Sequence, residues 1–512
     1  MSRASSALAI FSMLTLCQVA FSQSTFGTVL GTVKDSSGSL IPAAKVDLLN
    51  TGTNATRSTV TNTDGAYEFV NTEIGNYKLK VEAPGFQVTE YQPFDLAARA
   101  TVRIDVQMTV ASQATTVNVE AIAVVQTDAS NISETKGSLE LNNLPVAIGT
   151  RSSGSTSAYS TLTAQPGVQI DANNNISVSG AMPSQLSFTI DGISSVGPGS
   201  LGALTEMFPS FNAIEEIKIS ETLNPAEYGG VADITTVSKS GTNQFHGGAF
   251  ENLQNTYFNA SDTFSHEVTP VKLNDFGLYM GGPIIIPKVY NGRNRTFFFG
   301  SFEVLRLPKS LTSVLSVPTQ AMRNGDLSAY LDPSQGGQAN ALTGYPGNII
   351  PQTQINSFAQ KFSDLIFPLP NYGPSGAIAN NYLATYSIPI NSAQADVRLD
   401  QSLGVKHLVY VRYTYKNRRI TGEQLDPSGN PSTPLLGEVS TPQIYSALAA
   451  SYNWIVSPSI VNELRGGFSL VHRDVSYGIT AQQSANALGL TNLPGGVPPG
   501  DDIPTLSITG FM

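Results

Sequence analysis

The sequence predicts a mainly β protein, with short strands in its first hundred residues and longer, more aromatic strands in its second half. Charged residues make up only 13% of the 512 residues, about half the usual globular share. Turn formers are abundant, with 45 glycines and 30 prolines. Few charges, many turns and frequent period-two alternation together favour β structure. A chain of this length should divide into roughly three domains.

The charge balance makes nucleic acid an unexpected partner. Lysine and arginine total 28 against 38 aspartates and glutamates, for a net charge of −10. The chain therefore has no excess positive charge with which to neutralise phosphates.

The first residues have the features of a secretory signal peptide, predicted over residues 1–22. Arg3 supplies a basic start, Ala7 to Val19 is apolar, and Ala20 to Ser22 offers a small-residue cleavage site. No later window offers the ~20 consecutive apolar residues of a membrane-spanning helix. The chain's one cysteine, Cys17, lies within this segment, so we expect no disulfide or cysteine-ligated metal in the mature protein.

Residues 23–110 predict a small antiparallel β-sandwich. The run from Tyr77 to Ala83 alternates apolar and polar side chains, as expected of a strand with one buried face. The predicted strands are Thr28–Lys34, Lys45–Asn50, Arg57–Thr61, Ala66–Val70, Tyr77–Ala83 and Thr101–Gln107, separated by turn residues. The segments GTVKDSSGSLIPAAKVDLLNT, TDGAYEF and GNYKLKVEAPGF resemble the carboxypeptidase regulatory-like domain. This resemblance implies a transthyretin-like fold grouped with carbohydrate-binding modules. The aromatic residues that could serve a sugar site fit core positions at least as well: Tyr67, Phe69, Tyr77 and Phe86.

Residues 111–241 mix short elements with Gly-, Ser- and Pro-rich loops. The pattern predicts a short helix at Ser138–Leu144. It predicts strands at Ser177–Gly180, Ser187–Ile190, Ile214–Ser220 and Val231–Val237. The elements LNNLP, LTAQPGV, SFTIDGI and IEEIKISETLNPAEYGG resemble the plug domain of TonB-dependent outer-membrane receptors, especially the Oar-like group. This chain departs from that pattern at Val146–Thr150, where related chains usually carry an Asn-Gly-Arg element. It also departs at Asp233, where small or amide residues are commoner.

Residues 242–512 carry the pattern of transmembrane β-strands. In Leu408–Lys416, Val409 and Val411 alternate with Tyr410 and Arg412. Strands of ~10 residues with an apolar outer face, a polar inner face and aromatic residues at one end are typical of outer-membrane barrels. Tyr452 and Trp454 fit such an end. GGPIIIPK, RTFFFGSFE, YPGNIIP and LPNYG also resemble Oar-like receptors, and the stretch Thr312–Ser392 is predicted to be an extracellular loop.

The expected fold is therefore an N-terminal transthyretin-like sandwich, a mixed α+β plug and an incomplete antiparallel outer-membrane barrel. A plugged transporter barrel of about 22 strands needs ~220 residues in strands alone. About 270 residues follow Gly241, and the pattern places roughly seven strands in them. We therefore expect the chain to supply only the first part of a barrel.

One short segment is a candidate partner-binding site. Thr115, Thr116, Val117, Asn118, Val119, Glu120 and Ala121 lie between the sandwich and the plug. The segment is rich in β-branched residues and resembles a TonB box. An extended segment of this kind can pair its backbone with a partner strand. The alternative is an ordinary strand linking two domains.

No catalytic residue, cofactor or metal site is predicted. The four histidines are isolated, with no H-E-x-x-H pairing, and no G-x-S-x-G is present. The resemblance implies a TonB-dependent receptor in the outer membrane, with its sandwich in the periplasm. It would take up a bulky extracellular ligand (carbohydrate, peptide or metal chelate), with energy from TonB and its inner-membrane complex. The alternative function is a surface glycan-binding or adhesive protein without active transport.

Overall fold

The computed structural model describes residues 24–490. It leaves out 112–116, 120–131, 145–148, 152–153, 172–174, 198–201, 225–229, 262, 264–267, 269, 336, 338–340, 424–437, 458–459 and 477–479. The predicted signal peptide lies outside the described residues. No helix in the described part is long and apolar enough to cross a membrane.

The N-terminal part is a β-sandwich of two sheets. Its strands are β1 (Gly27–Asp35), β2 (Lys45–Asn50), β3 (Thr56–Val60), β4 (Ala66–Thr72), β5 (Gly75–Glu82), β6 (Thr89–Tyr91), β7 (Phe94–Leu96), β8 (Thr101–Arg103) and β9 (Val106–Met108). One sheet runs β4-β1-β8, with β9 also paired to β1. The other contains β6-β5-β2-β3 and continues past β6 to β10 (Val117–Val119), with β7 paired to β5. The alternating apolar residues of both sheets meet in a core that includes the fully buried Val29, Val46 and Leu79.

The second part is a mixed α+β unit. It contains β11 (Ile132–Gly137), α1 (Ser138–Asn143), β12 (Val168–Ile170), β13 (Ile176–Val178), β14 (Leu186–Ile190), β15 (Ile193–Ser194), β16 (Ile214–Thr222) and β17 (Ala232–Ser238). Its main sheet runs β11-β16-β17-β14-β15, in which only β14 and β17 are parallel. Phe188, Phe211 and Ile217 are almost fully buried in its core. The predicted helix and strands are present here, with boundaries shifted by one or two residues.

The third part is a long antiparallel sheet. Its elements are β18 (His246–Asn255), β19 (Lys272–Pro283), β20 (Ile285–Ile286), β21 (Tyr290–Asn291), β22 (Thr296–Leu307), β23 (Ser310–Leu315), α2 (Gln320–Arg323), α3 (Ser357–Ile366), β24 (Tyr382–Ser387), β25 (Ile390–Leu403), β26 (His407–Glu423), β27 (Glu438–Ser457), β28 (Ile460–Arg473) and α4 (Ala481–Leu488). Seven strands pair in the order β18-β19-β22-β25-β26-β27-β28. Within the described residues this sheet does not close on itself, because β18 and β28 do not pair with each other.

The two faces of the long sheet differ as predicted. On β26, Arg412 and Lys416 are at most 2% exposed, whereas Val411 and Tyr413 are each 40% exposed. The polar side chains are the buried ones because the plug covers their face. The apolar side chains form the outer surface, as expected of a sheet that faces lipid.

Connections at the two edges of this sheet differ in length. At one edge, β19 leads to β22 through the small β20–β21 hairpin, and β25 leads to β26 through residues 404–406. At the other edge, residues 308–389 join β22 to β25, and residues 424–437 join β26 to β27. Short turns on one side and long loops on the other are characteristic of outer-membrane barrels.

The prediction of Thr312–Ser392 as a loop is only partly correct. β23 and β24 form an antiparallel hairpin stem, and the segment between them contains α2 and α3. Strand β25 also begins at Ile390, inside the predicted loop. The many Pro, Gly and Asn residues obscured these short elements.

Candidate functional site

The candidate coupling segment lies at the edge of the sandwich. Val117, Asn118 and Val119 form β10, which runs parallel to β6 with Val117 opposite Thr89 and Val119 opposite Tyr91. Thr115, Thr116, Glu120 and Ala121 lie outside the described residues. The segment is thus extended at its centre, as strand addition requires, and its backbone is paired with the sandwich.

Strand β6 is held in place by side chains that pack into the sandwich core. Thr89 is 1% and Tyr91 9% exposed, and the Tyr91 hydroxyl donates to the Asp105 carbonyl at 2.9 Å. The other edge of β6 pairs with β5 through Thr89 and Glu90. This leaves one edge of β6 for β10, so β6 is a rigid template for a strand.

Buried ion pairs centred on Asp191 join the plug to the seven-stranded antiparallel sheet, which we call the wall. This aspartate lies in the tight turn after β14, at φ +50°, and is 1% exposed. Its carboxylate pairs with Arg412 and Arg398 of the wall and accepts hydrogen bonds from the Ser238 backbone and hydroxyl, both at 2.9 Å. Tyr410 donates to its carbonyl at 2.6 Å. The turn is thereby held against β25 and β26.

Two further buried ion pairs join the plug to the wall. Lys416 of β26, whose side chain is fully buried, pairs with Glu206 of the plug. Arg151 of the plug pairs with Asp275 of β19 at 2.8 Å, and both side chains are nearly inaccessible. Because a buried charge is costly without its partner, these pairs specify how the plug sits against the wall.

The sandwich is docked on the plug through the turn after β7. Arg99 of this turn forms a buried ion pair with Asp233. The Ala98 backbone contacts two plug side chains, since its N–H donates to Glu216 and its carbonyl accepts from Lys218 at 3.0 Å. Asp233, a departure from the plug pattern, thus has a specific partner in the sandwich.

Burial shifts the titration of two groups in this contact. It raises the pKa of Glu216 to about 7, although the Ala98 N–H and Lys218 oppose the shift. It lowers the pKa of Lys218 to about 8, and the nearby Glu216 carboxylate opposes that shift. Both groups are therefore biased towards their neutral forms.

The sandwich also contacts the short-turn edge of the long sheet. The Asn243 N–H donates to the Gly52 carbonyl at 2.9 Å, and the Asn243 amide donates to the Thr53 carbonyl at 2.7 Å. The sandwich and the short turns therefore lie at the same end of the molecule.

The aromatic residues considered for a sugar site are mostly core residues. Tyr67, Phe69 and Tyr77 are each at most 4% exposed, and Phe86 packs against the same cluster. Their rings are therefore unavailable as an exposed stacking platform. Across the described ranges, no group of three or more His, Cys, Asp or Glu side chains is positioned to hold a metal ion.

Sequence reasoning identified the inward face of β26 but missed its partners. Arg412 and Lys416 alternate with apolar residues, which marks their face, but the matching acids Asp191 and Glu206 lie about 200 residues earlier. For Asp191 the available signal was an acid followed by glycine in a turn, which is as common in surface loops.

Comparison with known proteins identifies a known domain in the second half of the chain and another near its N-terminus. Residues 237–512 match the outer membrane beta barrel domain. The chain belongs to this outer-membrane barrel family. Residues 28–109 match the carboxypeptidase regulatory-like domain, so the predicted N-terminal sandwich and the mainly β fold are confirmed. The family indicates an outer-membrane location for this barrel protein.

One curated relative aligns with the chain at low identity. Over 299 residues the barrel protein is 26% identical to the TonB-dependent transporter Oar of Myxococcus xanthus. The alignment covers 55% of this chain but only 27% of that transporter. The chain thus spans about a quarter of the length of this relative.

Solved structures align with parts of the chain. The siderophore receptor PirA from Acinetobacter baumannii is 12% identical with a TM-score of 0.32, covering 67% of this chain and 44% of its own. Catechol 1,2-dioxygenase from Pseudomonas arvilla C-1 is 11% identical with a TM-score of 0.15, covering 18% of this chain and 54% of its own. At these TM-scores neither likeness supports a functional assignment.

Proposed function

We propose that this barrel protein acts in a TonB-dependent outer-membrane receptor that takes up a bulky ligand with energy from the inner membrane. The ligand would be a carbohydrate, a peptide or a metal chelate. The long connection of residues 308–389 would meet the ligand outside the cell. The sandwich, which lies beside the short turns, would occupy the periplasm. The reaction is transport, without covalent chemistry.

One observation carries the proposal. The extended strand Val117–Val119 sits at a sheet edge, and the next described strand in the chain is β11 of the plug. A partner that pairs with this segment and pulls on it would apply force to the plug. The buried pairs of Asp191 and Lys416 would then be the contacts that resist displacement of the plug from the wall.

Proline substitution tests the coupling segment. Val117→Pro removes a backbone donor and fixes φ, so it should weaken strand pairing far more than Val117→Ala, which keeps the donor. We expect binding of purified TonB periplasmic domain to the full receptor to fall about tenfold or more with proline, and to change little with alanine. Binding would be measured by titration of the detergent-solubilised receptor.

Heat-modifiable gel mobility of both variants is the control for an intact barrel. Unchanged TonB binding by the proline variant, with normal mobility, would place the coupling site elsewhere. Absence of TonB binding by the parent receptor would instead favour the alternative function, a surface-binding protein without active transport.

A further inference from the structure

A row of polar and basic side chains crosses the outer face of the wall, near the edge that carries the long connection of residues 308–389. We propose that this row binds the phosphorylated headgroup of a glycolipid in the outer leaflet of the membrane. The proposal rests on the orientation in the proposed function, with the long connection outside the cell, and not on the binding of TonB. The basic row consists of Asn274 on β19, Arg306 on β22, Asn391 on β25 and Arg419 on β26.

The strand register places these four residues beside one another. Asn274 is opposite Arg306. Asn391 lies on the next strand, opposite both Arg306 and Arg419. Because neighbouring strands lie about 4.8 Å apart, the backbones of the two arginines are about 10 Å apart, with Asn391 between them. An open depression of about 440 Å³ lies here, and its lining includes both arginines, Asn391 and Asn417.

The basic row shares its face with the apolar outer surface of the wall. Arg306 lies four residues beyond Phe302 on β22, and Arg419 lies four residues beyond Tyr415 on β26. Residues an even number apart on a strand share a face. Phe302 and Tyr415 are 46% and 37% exposed, and both arginines are exposed as well. The arginines therefore project from the lipid-facing surface and not towards the plug.

The basic row lies just beyond the apolar band of this surface. Trp454, opposite His407, marks one end of the band. From there the outward side chains of β26 are apolar or aromatic over four positions, Val409, Val411, Tyr413 and Tyr415. Between His407 and Arg419 the strand rises about 40 Å, or about 30 Å along the membrane normal at a tilt of ~40°, whereas the apolar band of a barrel is about 25 Å tall. Arg419 thus lies at the level of the lipid headgroups.

No carboxylate of the described residues neutralises either arginine of the row. Neither Arg306 nor Arg419 forms an ion pair with another described residue. Arg306 donates to the backbone carbonyls of Leu305 and Ser392, at 3.2 and 3.5 Å. Both guanidinium charges are therefore available to an anion from the membrane.

Asp474 is at the same level of the outer face but lies apart from the row. Pro442 on β27 is opposite Arg419, and the Asp474 N–H donates to the Pro442 carbonyl at 3.2 Å. Two strand spacings therefore separate this acid from Arg419. Its carboxylate contacts His472 at 2.9 Å, so it leaves the row positively charged.

The arrangement suits a phosphorylated headgroup whose acyl chains lie against the wall. A guanidinium group presents its N–H donors in a planar fork that matches two phosphate oxygens. The Asn391 amide, between the two arginines, can supply a further N–H donor. The acyl chains of the same lipid would contact the apolar surface that includes Phe302 and Tyr415. A soluble phosphate would gain only the polar contacts, which is why we assign the row to a lipid.

Lipid binding by the detergent-solubilised full receptor tests this site. The probe is diphosphorylated lipid A, titrated while the bound lipid is counted by native mass spectrometry. Arg306→Gln with Arg419→Gln removes two positive charges but keeps polar side chains, so binding should weaken about tenfold or more. Lys288→Gln with Arg293→Gln is the matched control. It removes the same charge from exposed positions at the short-turn edge and should leave binding unchanged.

Four outcomes would overturn the lipid site. Unchanged binding by the Arg306/Arg419 variant, with normal heat-modifiable mobility, would show that the row does not bind the lipid. Equal weakening in the Lys288/Arg293 control would show an unspecific attraction to positive charge. Two further outcomes need only the parent receptor. Equal binding of lipid A without its phosphates would exclude phosphate recognition, and displacement of lipid A by inorganic phosphate at the same concentration would assign the row to a soluble anion.

Binding of purified TonB periplasmic domain separates this site from the proposed function. The Arg306/Arg419 variant should bind TonB as the parent does, because the basic row and the sandwich lie at opposite ends of the wall. A parent receptor that binds lipid A through the row but does not bind TonB would refute the proposed function and support the lipid site. A parent that binds TonB, with lipid A binding unaffected in the Arg306/Arg419 variant, would refute the lipid site alone.

Discussion

Lys416 illustrates how single residues determine the fit between plug and wall. Its ammonium group is fully buried, and its partner Glu206 also accepts a hydrogen bond from Ser155 at 2.8 Å. A lysine in an apolar surrounding would be strongly disfavoured. It is tolerated here because the plug supplies a counter-charge, so this residue reports on whether the plug is in place.

A double-mutant cycle tests this pair. Lys416→Met leaves the Glu206 carboxylate buried without its counter-charge and should destabilise plug docking by about 3–5 kcal/mol. Adding Glu206→Gln removes the stranded charge and should recover much of that loss. Plug docking would be followed by hydrogen exchange of the plug amides in denaturant. A double variant as unstable as Lys416→Met alone would show that the pair does not act as a unit.

The insertion between β23 and β24 is organised around one buried arginine. Arg323, at the end of α2, donates to the carbonyls of Phe367 and Pro368 at 2.7 and 2.8 Å. It also pairs with Asp364 of α3 at 3.3 Å. One side chain thereby ties α2 to the chain that follows α3, which explains how a Pro- and Gly-rich segment keeps a defined shape.

Loss of this arginine should loosen the insertion alone. Arg323→Met removes donors from buried carbonyls, which costs about 1–3 kcal/mol for each group left unpaired. We expect faster amide hydrogen exchange between Pro318 and Pro368, with no change in β25 or β26. The matched control is Lys361→Met, an exposed residue on α3, which should leave exchange unchanged. Faster exchange throughout the barrel would mean that the insertion is not an independent unit.

The attachment of the sandwich to the plug is expected to depend on pH through Glu216. Its ordinary pKa of 4.5 is raised to about 7 in the docked protein. Between these values the docked form holds a proton that an undocked form releases. The contribution of Glu216 to docking is therefore most favourable below about pH 4.5, weakens as pH rises towards 7 and does not change further above that. The full effect is at most about 3 kcal/mol, since one pKa unit corresponds to 1.36 kcal/mol.

Substitution of Glu216 isolates this contribution. The Ala98 amide donates to Glu216, so its hydrogen exchange reports on this contact. In the parent protein, its protection against exchange should fall by up to about a hundredfold from pH 5 to pH 7.5. Glu216→Gln should flatten this dependence. Glu73, whose pKa burial also raises to about 7, remains in both proteins, so the difference between them reports on Glu216. Equal pH dependence in the two proteins would contradict the assignment.

Much of this architecture was predictable because its signals are local. Alternation in β26 identified the inward face of Arg412 and Lys416 before any partner was known, since side chains on a strand alternate with period two. Turn residues separated the short strands of the sandwich in the same way. The insertion was less predictable, because helices as short as α2 give too few turns for a periodic pattern.

The sequence was sufficient to predict a mainly β chain with a sandwich and barrel strands, because strand alternation and turn chemistry depend on neighbouring residues. Only the tertiary structure determined which charges meet. From the sequence, Asp191 could have paired with any arginine. Asp233 departs from the plug-domain pattern, and the structure supplies the reason, because Arg99 lies beside it. The pairing of Val117–Val119 with β6 was equally hidden, since a three-residue strand with a free backbone edge can join any open sheet. Such choices depend on distances in the folded chain, because burial makes a charge or an edge strand costly unless a partner lies within reach.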